Sequence, residues 1–211
     1  MILLVAPSRR ALPGLPIPTR ARRMILNSDR STAERQVRQA LDSGKYDLLV
    51  SVGFAAAADR RLEVGDLLAA TRVYGGADVY LDLPRLQTPG AVSGGLCTLM
   101  PDGAPPPRGR KRLPAVYAFD DHAFWLARAA QAAEVPCLVL RAMLLEAPAD
   151  PDLTHPLAPY VLGGRLKPVL KRLPGRWQEM SQLARNIIRC RSQLATTLSV
   201  LLVLHGGAPP R

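Results

Sequence analysis

Aromatic residues are scarce: three Phe, five Tyr and two Trp make up 5% of the 211 positions. The core must therefore come from Leu, Val, Ala and Ile, and an RNP-type stacking surface for single-stranded nucleic acid is excluded. Cysteine is sparse too. Cys97, Cys137 and Cys190 are odd in number, far apart and never in a Cys-x-x-Cys pair. That excludes a disulfide framework and points to reduced thiols in a cytosolic protein. His122, His155 and His205 stand alone, with no second His or Cys at ligand spacing, so no metal site is expected. Neither a Walker loop nor a G-x-G-x-x-G turn is present, and no cofactor is expected. Lysine occurs only at 45, 111, 167 and 171, yet 28 basic residues face 17 acids, for a net charge of +11. Such arginine-rich, Ala/Pro/Gly/Leu-rich composition follows from the codon bias of a GC-rich genome. A basic surface favours phosphate or acidic lipid as partner, and without zinc-finger spacing no specific nucleic-acid reading is expected.

What is present is apolar and alternating. Hydrophobic residues reach 48%, which excludes disorder throughout. The length fits one domain, 1–211, with about 160–211 as a C-terminal helical extension. The start, MILLV, lacks a basic n-region and reads as a first strand, Ile2–Val5, rather than a signal peptide. Pro7–Pro18 reads as loop and Arg23–Leu26 as a short strand. Ser31 with Glu34 forms an S-x-x-E capping box for a helix ending near Ser43, and Gly44 follows. Leu48–Val52 and Asp66–Tyr74 read as strands, with further strands near Val79–Leu83 and Leu96–Met100 inside a Gly/Pro-rich stretch. Ala115–Phe119 is a predicted strand, Asp121–Ala133 an Ala-rich helix, and Cys137–Met143 a strand that is apolar until Arg141. Leu166–Leu173 and Trp177–Leu204 read as helices. In the second, Trp177, Met180, Leu183 and Ile187 form an apolar stripe. The uncharged run Gln193–Gly207 is too short to span a bilayer. The alternation predicts an α/β architecture.

Three stretches carry the chemistry. After Leu48–Val52 comes Gly53-Phe54-Ala55-Ala56-Ala57-Ala58-Asp59, then the LEVGD turn at Leu62–Asp66. The second is Ala118–Ala123, AFDDHA, and the third Arg141–Pro148, RAMLLEAP. Together they resemble the nucleoside phosphorylase and nucleosidase superfamily, where the same places read G-x-A-G-G-L-D, L-x-x-G-D, V-D-M-E-S and R-x-I-S-D-P-A. The segment Gly163–Asn186 is similar to the hopanoid-biosynthesis-associated branch. The resemblance implies a single three-layer phosphorylase-like domain with a central mixed sheet and C-terminal helices.

It also implies roles. Gly53, Phe54 and Ala56 stand where relatives hold base and ribose, with Ala56 and Ala57 in place of two glycines. Asp120 matches the aspartate of the second motif, and His122 replaces the glutamate that binds ribose hydroxyls. Asp121 is beside it. The same acids read equally as a helix cap. Leu145 stands where relatives place the acid that protonates the departing base, leaving Glu146 as the candidate catalytic acid. Its carboxyl needs a raised pKa for that role. Arg9 and Arg10 replace a glycine-rich phosphate turn and are candidate phosphate ligands. The implied reaction is N-glycosidic cleavage by phosphate or water, releasing a purine; the branch implies adenine from adenosylhopane. The expected partners are a purine nucleoside or nucleosyl-lipid substrate and phosphate, with homo-oligomer formation and peripheral contact with the inner membrane as further expectations for a cytoplasmic protein. The rival reading is an inactive relative kept as a binding or assembly module. Gly53, Asp121, His122 and Glu146 are expected around one cleft.

Overall fold

The structure is a computed structural model that describes residues 1–12, 14, 18–26, 30–75, 79–99, 116–148 and 177–206. Its elements are β1 (Ile2–Ala6), β2 (Ala21–Ile25), α1 (Arg30–Ser43), β3 (Leu48–Ala57), β4 (Leu67–Tyr74), β5 (Tyr80–Asp82), β6 (Ala91–Thr98), β7 (Val116–Asp120), α2 (Ala123–Ala132), β8 (Cys137–Leu145) and α3 (Trp177–Gly206). The predicted helix at Leu166–Leu173 lies outside the described residues. Helix α1 starts at Arg30, so Ser31 lies within its first turn rather than before it.

The sheet is mixed. β1 runs parallel to both β2 and β3, and β3 parallel to β8. β8 meets β4 antiparallel, β4 and β6 are parallel, as are β6 and β7, and β7 returns antiparallel to β3. Five strands therefore close a ring, β3-β8-β4-β6-β7, extended by β1 and β2 on one side and β5 on the other. Closure gives each of these five a strand partner on both edges over part of its length.

Alternation along the strands sorts two cores. Leu3, Val5, Leu49, Ala55, Val139 and Met143 pack with Val37 and Leu41 of α1 and with Leu126 and Ala130 of α2. Leu4, Val50, Val52, Leu138, Leu140 and Leu144 pack instead with Cys190, Leu194, Leu198 and Leu201 of α3. Two helices on one face and one on the other give the expected three layers. Small alanines let α2 sit close to the sheet, and the LEVGD turn behaves as its composition predicts. Gly65 adopts φ +95, and an Asp66 carboxylate oxygen accepts a 2.8 Å bond from the Glu63 N–H.

β3 corrects the sequence reading most. It does not end at Val52 but continues as strand through Ala57, buried throughout. The reason is its neighbours. On one edge it pairs with β8 from Leu49 to Ala56. On the other it pairs with β1 at Leu48–Ser51 and with β7 at Ala56–Ala57. Gly53–Ala57 is therefore a strand segment and not a βα turn.

Candidate functional site

The two neighbours on that second edge part company around Gly53. β1 stops pairing at Ser51, and β7 begins at Ala56. Among the described residues, no strand pairs with this edge of Val52–Ala55. Beyond β1 come Arg9 and Arg10, both exposed in a turn closed by a 3.2 Å bond from the Ala11 N–H to the Ser8 carbonyl. Beyond β7 come Asp120, Asp121 and His122. Both segments follow the ends of the two strands that border this stretch of β3.

Beneath this gap lies a buried polar cluster. Arg141 and Asp120 are each 1% exposed. The Arg141 Nε donates to an Asp120 carboxylate oxygen at 2.8 Å. Its other nitrogens donate to the Ser51 carbonyl at 2.9 Å, the Leu140 carbonyl at 3.0 Å and the Ser51 hydroxyl at 3.0 Å. Asp120 also accepts from the Thr98 hydroxyl at 2.8 Å and from the Ala123 N–H at 2.9 Å. Thr98 Oγ1 in turn accepts the Phe124 N–H at 2.9 Å. Asp120 and Thr98 together satisfy two orphan N–H groups at the start of α2, which no side chain of His122 caps. Gly53 faces this guanidinium: a Cβ there would stand 3.4 Å from the Arg141 Cζ.

His122 is 4% exposed, with Nδ1 at 3.2 Å from an Asp121 carboxylate oxygen. Phe54, Ala56 and Ala57 are buried at 7%, 0% and 1%. Glu146 is exposed directly after β8. Leu145 pairs with Ala56, past a register shift at Ala55/Ala56, which sets Glu146 beside Ala57, roughly 13 Å along β3 from Gly53 at strand rise. Gly53, Asp120 and the Asp121–His122 pair therefore group at one level, and Glu146 stands at the rim. Gly53 lies within β3 and not after its end, and β7 runs against β3, so these residues share no common strand-end direction.

Sequence reasoning passed over Ser51 and Thr98, and read Arg141 only as a motif position. Their signal was available: each is a polar residue inside an otherwise apolar strand, which in a buried setting requires a partner.

No family model matches the sequence, and no curated protein matches it. Solved structures do. The MTAN of Chlamydia trachomatis superposes with a TM-score of 0.59 at 16% identity, over 95% of this chain and 96% of that one. A methylthioadenosine/S-adenosylhomocysteine nucleosidase of S. pneumoniae, solved with a transition-state inhibitor, gives 0.58 at 15% identity over 95% and 99%. The futalosine hydrolase of Helicobacter pylori gives 0.53 at 12% over 82% and 97%. The chain has the nucleoside phosphorylase/nucleosidase fold. The match spans nearly the whole length of each of those chains. The chlamydial enzyme has been solved with adenine and, as a variant, with MTA.

Proposed function

We propose that this chain is a nucleosidase-like protein that binds a purine nucleoside where β1 and β7 part on β3, and cleaves its N-glycosidic bond. The parting itself carries the reading. There β3 loses one strand partner before it gains the next, and the break lies between a basic turn and a carboxylate–imidazole pair. We assign Asp121 and His122 to the ribose hydroxyls, and Arg9 and Arg10 to phosphate or a second anionic group. Positive charge develops on the sugar in the transition state, and the departing base needs a proton. Glu146 is the acid we assign to that step. The substrate we favour is adenosylhopane, releasing adenine in hopanoid biosynthesis in the cytoplasm.

The second reading, an inactive binding or assembly module, is favoured by two observations. Both Asp120 oxygens are consumed by Arg141, Thr98 and the α2 backbone, and the Ala56 and Ala57 methyls fill space where relatives have glycine. Adenine release from methylthioadenosine, adenosine and adenosylhopane, with and without phosphate, separates the two. The enzyme reading expects release, lowered roughly 100-fold by Glu146→Gln, because the amide cannot donate an acidic proton. Adenine binding without release, unaltered by Glu146→Gln, identifies the binding module.

A further inference from the structure

Three of the four residues in the apolar stripe read from the sequence of α3, all but Trp177, form a core face. Met180, Leu183 and Ile187 pack half-buried against the sheet, in line with Cys190, Leu194, Leu198 and Leu201. A different set remains in solvent: Trp177 is 77% exposed, Ile188 69%, Val200 40%, Val203 63% and Leu204 59%. These are five of the nine large hydrophobic residues exposed among the described residues. One helix therefore holds over half of the unburied apolar side chains.

The same outer face is basic. At 100° per residue, Arg185, Ile188, Arg189, Val200 and Val203 fall within roughly 120° of one another. Arg185 is exposed and donates to Gln182 of the same helix at 2.7 Å. Arg191 flanks Trp177 and Ile188 on the opposite border. Glu179 is the only acid in the helix. The sequence leading into the helix, Arg165 to Arg176, adds five basic residues and no acid.

We propose that the outer face of α3 is a docking surface for an anionic lipid bilayer, with the helix lying in the headgroup plane. Trp, basic and aliphatic side chains together suit that boundary, where an apolar body and a charged tip are both accommodated. Charge selects the partner: a basic apolar helix on a chain of net charge +11 is complementary to acidic lipid, and each basic group near such a surface adds attraction that salt weakens. The helix is long and apolar enough to cross a membrane by length and composition. Its inner face excludes crossing, since Leu194 and Leu198 are 0% exposed against the sheet. It lies on the bilayer and does not traverse it. The inference stands on α3 alone and does not depend on what the site near Gly53 cleaves.

Co-sedimentation of the full chain with vesicles of phosphatidylglycerol and phosphatidylcholine tests it. The expected result is pelleting with mixed vesicles at low salt, little with pure phosphatidylcholine, and release at high salt. Trp177 emission should shift to the blue on binding, and Trp177→Phe should lose that shift. Ile188→Glu with Val203→Glu should weaken partitioning at least about tenfold while leaving the far-ultraviolet spectrum and melting temperature unchanged. A chain that stays in the supernatant at low salt overturns the proposal. So does binding indifferent to both glutamate substitutions, or equal binding to uncharged vesicles. A wild-type dimer that these substitutions convert to monomer would identify the face as a protein interface and overturn it equally.

Discussion

Arg141 and Asp120 illustrate how a side chain can matter to a site without touching what binds there. An arginine at 1% exposure survives only because each of its nitrogens has a partner: a carboxylate, two carbonyls and a hydroxyl in all. Removing one partner strands the other charge. Arg141→Met and Asp120→Asn are each expected to cost about 3–5 kcal/mol in urea unfolding. The double substitution should cost clearly less than the two added together, because the stranded charge is gone. Strict additivity would show that the two groups do not act as a pair. The sequence made Arg141 visible as a break in an apolar run, but not its partner. Asp120, Thr98 and Ser51 come from three different strands, and only the ring closure β6-β7-β3-β8 brings them together.

Helix α3 is held to β8 by polar bonds as well as apolar packing. The Cys190 thiol donates to the Met143 carbonyl at 3.1 Å, and Asn186 donates to the Leu144 carbonyl at 3.2 Å. Burial pushes the Cys190 thiol up to about 12, although the Gly65 backbone and Arg189 oppose this. A thiol whose pKa is higher in the fold than in the unfolded chain holds its proton longer when folded. Its contribution is whole below the unfolded value of about 8.5, declines as pH rises above it, and is gone once pH has passed through the folded value. Wild type should therefore lose stability faster between pH 9 and 11 than Cys190→Ser, whose hydroxyl does not titrate there. Urea midpoints at both pH values measure this, and parallel losses would mean that Cys190 does not drive the alkaline decline. Periodicity in the sequence revealed that α3 exists and that one face is apolar. It did not separate the Met180–Ile187 stripe that packs from the Ile188 and Val203 positions that do not, because both are aliphatic and only the sheet's location distinguishes them. The β3 extension was hidden for a related reason: Gly53 followed by alanines reads locally as a turn, and it is the pairing with β8 and β7 that keeps it extended.

At the scale of the whole molecule the sequence predicted the layers well, because strand–helix alternation and apolar runs are local signals. It could not predict that β7 would run against β3, and that reversal decides which residues meet at Gly53. Charge is the other property of the whole. The surplus of 28 basic over 17 acidic residues makes the compact state repel itself. Exposed pairs such as Arg72–Asp82 and Arg128–Glu34 work in the opposite sense. Such pairs contribute little each, and salt weakens them. The buried Arg141–Asp120 pair is screened far less. Because the surplus acts over the entire surface and such pairs are few among the described residues, relief of repulsion should win. Raising sodium chloride from 10 to 200 mM shortens the Debye length from about 30 to about 7 Å, and the melting temperature is expected to rise by a few degrees over that range. Scanning calorimetry at fixed pH provides the check. A fall in melting temperature would mean that the local pairs, and not the net charge, set the balance; the basic surface would then have to be regarded as internally compensated rather than open to an anionic partner.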